Sequence, residues 1–241
     1  MYYYILESPD SRGVRQTYQR LRDILTNLGI AGEMVASSPA RTPEELAAMG
    51  LEKSYSTIVA VGGDHFINQI ARSVVGRAVL GIVPINASRQ VTDLIGATSI
   101  RDAAESLRQR RLTQTSIAVA EPDVVIFLDA VIEVPKLAKA SLVVDGKMRA
   151  FAYFNRLIIT RGLEIKLESS HSVEQKKIFG LFGTGGKVIK SESFFHGRSV
   201  RVVTDPELPL MVAGEPIAKT PLQFKLIPDA LKVITRRGTL T

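Results

Sequence analysis

Ile58-Val59-Ala60-Val61-Gly62-Gly63-Asp64-His65-Phe66-Ile67-Asn68 decides the reading of this chain. Four apolar residues make a short buried strand, two glycines turn the chain, and Ile67, Ile70, Ala71 and Val74 then recur at the spacing of one helical face. A glycine turn between a strand and a helix lets backbone approach an anion closely, and the free N–H groups of the helix start favour negative charge. The same residues also read as a plain strand-to-helix turn in which Asp64 caps the helix.

The pattern repeats outward from this segment. On the N-terminal side, Tyr2–Leu6 reads as a first strand. Val14, Tyr18, Leu21, Leu25 and Leu28 follow at helical spacing, and Gly29 stands where a C-terminal cap belongs. Ala31–Val35 is the next expected strand. Thr42-Pro43-Glu44-Glu45 then supplies an N-cap hydroxyl, a proline at the first helical position and a glutamate three residues after the cap, starting a helix through Met49. On the C-terminal side, Val79–Val83 reads as a strand closed by Pro84, and Ile100, Ala103, Ala104 and Leu107 as a helix after Ser99. Strands alternating with helices predict a parallel sheet, hence an α/β domain over residues 1–115.

Past that point the period changes. Leu163, Ile165 and Leu167 alternate with Glu164, Lys166 and Glu168, and Leu222, Phe224 and Leu226 with Gln223 and Lys225. Six or more such runs predict an antiparallel β-sandwich or barrel as a second domain, residues 116–225.

Composition sets the outer limits. The 241 residues are 45% hydrophobic and 23% charged, enough apolar surface for a core and too much for a disordered chain. With no Cys, a disulfide framework, a cysteine-ligated metal and a Cys nucleophile are excluded. The net charge of +7 leans toward the C-terminal half and favours an anionic partner. The apolar stretch Val124–Val134 is interrupted by Asp129 and Glu133, too short to span a bilayer, and the N-terminus meets Glu7 at once rather than continuing as a signal sequence, so a cytoplasmic chain is expected.

A second segment, Leu80-Gly81-Ile82-Val83-Pro84-Ile85-Asn86-Ala87-Ser88-Arg89-Gln90-Val91-Thr92-Asp93, is again strand, polar loop and helix. With the first it resembles the diacylglycerol kinase and sphingosine kinase family of lipid kinases, whose pattern is a strand into Gly-Gly-Asp-Gly-Thr, a helix with Asn, then Gly-Ile-x-Pro-x-Gly-Thr-x-Asn-Asp. The Pro84 context is closer to these than to the related NAD kinases. Phe195–Val202, Pro209–Glu215 and Ile227–Val233 are similar to the family's closing strands around Asp-Gly-Glu.

The resemblance implies a nucleotide-binding domain and a β-sandwich, with residues 226–241 returning to the first domain. It implies ATP and Mg²⁺ as cofactors and transfer of the γ-phosphate to a lipid hydroxyl. Asp64 would be proton acceptor or metal partner and Glu215 the remnant of a second acidic cluster. Gly62, Gly63, His65, Asn68, Asn86, Ala87 and Ser88 would frame the nucleotide, and the metal ligands are not specified. Partners would be a nucleotide and an anionic membrane surface or lipid, giving a cytoplasmic protein with a peripheral membrane association. Nucleic acid is disfavoured for want of an ordered aromatic platform.

The departures from the pattern point the other way. His65-Phe66 replaces Gly-Thr and places two large side chains at the phosphate approach, Gln90 stands at an acidic-end position, and Ala213 replaces the Asp of Asp-Gly-Glu. Each lost transition-state contact lowers a rate by about 10²–10³, so very slow or absent turnover is expected. The alternative is a non-catalytic nucleotide- or lipid-binding module. Phe182-Gly183-Thr184-Gly185-Gly186-Lys187-Val188 lacks the first Gly and the final Ser or Thr of a phosphate loop and reads as a β-turn.

Overall fold

The computed structural model describes residues 1–173 and 187–236. The glycine-rich stretch Phe182–Gly186, expected as a β-turn, therefore lies outside the described residues. In chain order the elements are β1 (Tyr2–Leu6), α1 (Arg12–Asn27), β2 (Glu33–Ala36), α2 (Pro43–Glu52), β3 (Thr57–Gly62), α3 (Asp64–Val74), β4 (Val79–Pro84), α4 (Arg89–Ile95) and α5 (Ile100–Gln109). Then come β5 (Leu112–Ala120), β6 (Val124–Ile126), β7 (Ala130–Val144), β8 (Met148–Ile159), β9 (Glu164–Val173), β10 (Lys187–His196), β11 (Ser199–Asp205), β12 (Pro209–Val212), β13 (Glu215–Lys219) and β14 (Leu222–Ile234). No helix among the described residues is long and apolar enough to cross a membrane.

The chain divides into two compact units. Unit 1 comprises Met1–Ile117, Val125–Leu128 and the chain from Ile227 onward, and unit 2 Ala118–Val124 with Asp129–Leu226. The fold is mixed α/β, parallel in the N-terminal part and antiparallel later.

Unit 1 is built on parallel strands in the order β4, β3, β1, β2, with the C-terminal end of β14 added beside β4 through Lys232↔Val79 and Val233↔Leu80. Every residue of β3 is buried, the mark of a central strand covered on both faces. Its helices start and stop where side chains satisfy the free backbone groups. Ser11 caps α1 and Ser99 caps α5, while Thr42 and Glu45 close a reciprocal capping box on α2. Gly29 takes the left-handed conformation after α1, at φ 68°. The second strand begins two residues later than the alternation suggests, at Glu33. A β-carbon at Gly32 would stand 2.2 Å from the Tyr2 carbonyl oxygen, so here the backbone is still packing against β1.

Unit 2 is antiparallel. The long β7 pairs on one edge with β8, followed by β9 and β10, and on its other edge with β11 and, through Met211↔Val131, with the β12–β13 hairpin. The β7–β8 turn holds its shape through Asp145, whose Oδ1 accepts from the backbone N–H groups of Arg198 and Ser199 at 2.8 Å each. Leu163, expected as a strand residue, lies in the turn before β9 at φ 57°, yet it is buried with Ile165 and Leu167.

Candidate functional site

The chain runs from β1 to β2 on one side, then crosses β1 to reach β3 on the other. The crevice between the carboxyl ends of β1 and β3 is therefore the switch point of the sheet, where open α/β sheets bind ligands. Register fixes which residues meet there. Leu6 pairs with Val61, and the Glu7 N–H donates to the Val61 carbonyl at 2.9 Å, so Glu7 emerges beside Gly62. β4 ends alongside, with Gly62↔Pro84 in register and the Ile85 N–H donating to the Gly62 carbonyl at 2.9 Å.

Two hydrogen bonds tie these loop ends to one another. The Gly63 N–H donates to Glu7 Oε2 at 2.8 Å, and the Ser88 N–H donates to Asp64 Oδ1 at 2.7 Å. Asp64 is the first residue of α3, where a carboxylate is favoured by the helix dipole. Beside the loop lies a cavity of about 240 Å³ lined by residues that include Glu7, Asp10, Tyr18, Gly63 and Asn86. The Tyr18 hydroxyl donates to the Glu7 carbonyl oxygen at 2.9 Å. Burial first, then the nearby negative charges of Glu7 and Asp10, push it up to about 12, so it is neutral at physiological pH.

Of the residues singled out in the sequence, Gly62, Gly63, Asp64, Asn86 and Ser88 come together at this crevice. Asn86 reaches it at φ 53°, a conformation that asparagine tolerates. Ala87 is half-buried between Asn86 and Ser88, and His65 is half-buried in the first turn of α3. Asn68 is 3% exposed, and its Oδ1 accepts from the Leu128 N–H at 3.4 Å. It tethers residues 125–128 to α3 within unit 1. Glu215 belongs to unit 2, exposed after the tight turn of the β12–β13 hairpin, in which Ala213 and Gly214 both have positive φ.

Two expectations change. Phe66 does not crowd the phosphate approach: it is 2% exposed and lies under the Gly62 turn, where a β-carbon on Gly62 would stand 2.9 Å from its ring. The reason is helical period, since Phe66 shares the buried face of α3 with Ile67, Ile70, Ala71 and Val74. The group in front of the Gly63 N–H is instead Glu7, which lies outside both motif segments. Its one signal in the sequence is its place immediately after a strand that proves to border the switch point.

The residues 7–120 match the diacylglycerol kinase catalytic domain. A search of the curated proteins finds no match. Among solved structures, one described as a diacylglycerol kinase from Bacillus anthracis Sterne superposes with a TM-score of 0.71 at 12% identity, covering 99% of this chain and 98% of the other. Another Bacillus anthracis protein gives 0.76 at 12% identity, covering 99% and 97%. An NAD kinase from Archaeoglobus fulgidus, solved in complex with ATP, gives 0.56 at 12% identity, covering 99% and 94%. Through residues 7–120, just under half of its length, the chain is similar to the diacylglycerol kinase catalytic domain, and over its length it carries the fold of the diacylglycerol kinase and NAD kinase structures.

Proposed function

We propose that this chain is a non-catalytic binding module of the lipid kinase family, which keeps the ligand crevice at the β1/β3 switch point and has lost phosphoryl transfer. The observation that carries the reading is the pair of bonds across the crevice. The Gly63 N–H, which a phosphate oxygen would need, is engaged by Glu7, and the Asp64 carboxylate, which a proton or metal would need, accepts from Ser88. Phosphoryl transfer rests on positioning and charge neutralisation, so a loop bonded to its own chain removes what the protein has to offer.

The donor set agrees. Among the described residues no group of three or more His, Cys, Asp or Glu could hold a metal ion. Magnesium binds through one or two carboxylates and phosphate oxygens, and here Gln90 and Ala213 replace acidic positions of the family pattern. Glu7 and Asp10 at the cavity add negative charge where a nucleotide would bring more. ATP with Mg²⁺ does not fit these residues.

A second reading is favoured by the family match over residues 7–120: an active kinase passing the γ-phosphate of ATP to a lipid hydroxyl, with Asp64 as proton acceptor or metal partner. On the first reading, with the glycine loop closed to phosphate, the ligand class is a lipid; on the second it is a nucleotide together with a lipid. The net charge of +7 and the exposed Phe151, Tyr153 and Phe194 of unit 2 support an anionic lipid surface as partner. The deciding experiment incubates the protein with γ-labelled ATP, Mg²⁺ and vesicles containing diacylglycerol or sphingosine. The proposal expects no label in lipid above a no-protein control. Label transfer abolished by Asp64→Asn would establish the second reading.

A further inference from the structure

We infer that Glu7 is a built-in anion that fills the phosphate position of the glycine loop and excludes phosphate ligands from it. The inference rests on the reading of the switch-point crevice as the ligand site. A strand, glycine turn and helix start present an N–H suited to an anion, and in this chain that N–H already has one: the carboxylate of Glu7, at 2.8 Å from the Gly63 nitrogen.

The packing is built around this carboxylate. A β-carbon on Gly62 would stand 2.6 Å from Glu7 Oε2 and 2.8 Å from Glu7 Cβ, so glycine at 62 is required by the close approach of Glu7 and the Phe66 ring. At Gly63 the φ of −85° is open to any residue, and the nearest atoms to a β-carbon after Glu7 Oε2 are the carbonyl oxygens of Ile85 and Asn86, at 3.7 and 3.9 Å. Carbonyl oxygens repel an incoming phosphate, while Glu7 holds the direction in which the N–H points. Its backbone is fixed on both sides, by the Glu7 N–H to Val61 bond and by Tyr18 donating to its carbonyl. The carboxylate is thus held in place by the strand that carries it. A phosphate group entering here meets both an occupied donor and a like charge.

The test is calorimetric titration of the full chain with inorganic triphosphate and excess Mg²⁺, on the unaltered protein and on Glu7→Ala, Glu7→Gln and Asp10→Asn. Circular dichroism establishes that each variant is folded, and Glu7→Gln retains the side-chain shape should Glu7→Ala loosen the loop. Hydrogen bonds to charged groups are strong enough that freeing the N–H should tighten triphosphate binding about tenfold or more in Glu7→Ala. Glu7→Gln, uncharged but still able to accept from Gly63, should gain less. Asp10→Asn removes a charge from the same cavity without touching the N–H and should change affinity by less than about threefold. Unchanged or weaker binding in Glu7→Ala overturns the inference, and so does an equal gain in Asp10→Asn, which would make the effect one of net charge. Phosphate transfer by the unaltered protein would contradict the non-catalytic reading yet leave this comparison of triphosphate affinities standing on its own.

Discussion

Substituting Gly62 by Ala tests the geometry of the loop in the folded protein without any ligand. The added β-carbon meets three atoms below 3.0 Å: Glu7 Oε2 at 2.6 Å, Glu7 Cβ at 2.8 Å and Phe66 Cδ1 at 2.9 Å. The carboxylate end can swing away, but Glu7 Cβ is fixed to β1 and the Phe66 ring is 2% exposed, so at least two neighbours cannot yield cheaply. Overpacking of this kind costs about 1–3 kcal/mol, and the stiffer unfolded chain returns about 0.4–1 kcal/mol. The net loss should be about 1–2 kcal/mol. At a urea dependence of about 2 kcal/mol per molar, the midpoint falls by about 0.5–1 M. Tyrosine fluorescence is the assay, because the protein has no Trp, and Tyr2, Tyr3, Tyr4, Tyr18 and Tyr55 all lie in unit 1 with only Tyr153 in unit 2. Gly63→Ala is the control. Its β-carbon meets nothing closer than 3.6 Å, and the poorer N-cap offsets the entropic gain, so its stability should stay within about 0.5 kcal/mol of the parent. In the double variant Glu7→Ala with Gly62→Ala, the closest clash is gone and the interaction energy should be about 0.5–1 kcal/mol. A neutral Gly62→Ala, or a Gly63→Ala equally damaging, would refute the packing assigned to Glu7.

Asn68→Ala leaves the Leu128 N–H without its acceptor in a buried setting and should lower stability by about 1–2 kcal/mol in urea unfolding. Ala213 holds a left-handed conformation at φ 49° in a hairpin turn that favours Asn or Asp there, so Ala213→Asn should raise stability by about 0.5–1 kcal/mol on thermal unfolding. Tyr18, raised to about 12 by burial and nearby carboxylates, binds its proton more tightly when folded. Its contribution to stability is therefore complete below pH 10 and is lost as pH rises toward 12, a slope that Tyr18→Phe should remove from the alkaline unfolding profile.

Where local chemistry sets the structure, the sequence was legible. Thr42-Pro43-Glu44-Glu45 announces a capped helix because both partners of the box lie within four residues, and both bonds are present. β3 is legible for the same reason, an unbroken apolar run closed by glycine. Contacts set by strand order were not. Glu7 becomes part of the site only when β1 pairs with β3, fifty-six residues further on in the Glu7–Gly63 bond, and no local pattern marks it. Asn68 looked like a phosphate contact because a family motif places an Asn on this helix, whereas its partner, Leu128, is sixty residues away. Phe66 is a different case. Its position on the helical period of α3 already assigns it to the buried face, although it stands where the family motif has a phosphate contact.

The most direct measurement on the central claim is calorimetric titration of the unaltered protein with Mg·ATP. A crevice whose Gly63 N–H and Asp64 carboxylate are both bonded within the chain should give no saturable heat up to about 1 mM nucleotide. Saturable binding in the micromolar range, lost on Asp64→Asn, would show that the two bonds open for the nucleotide and would contradict the account.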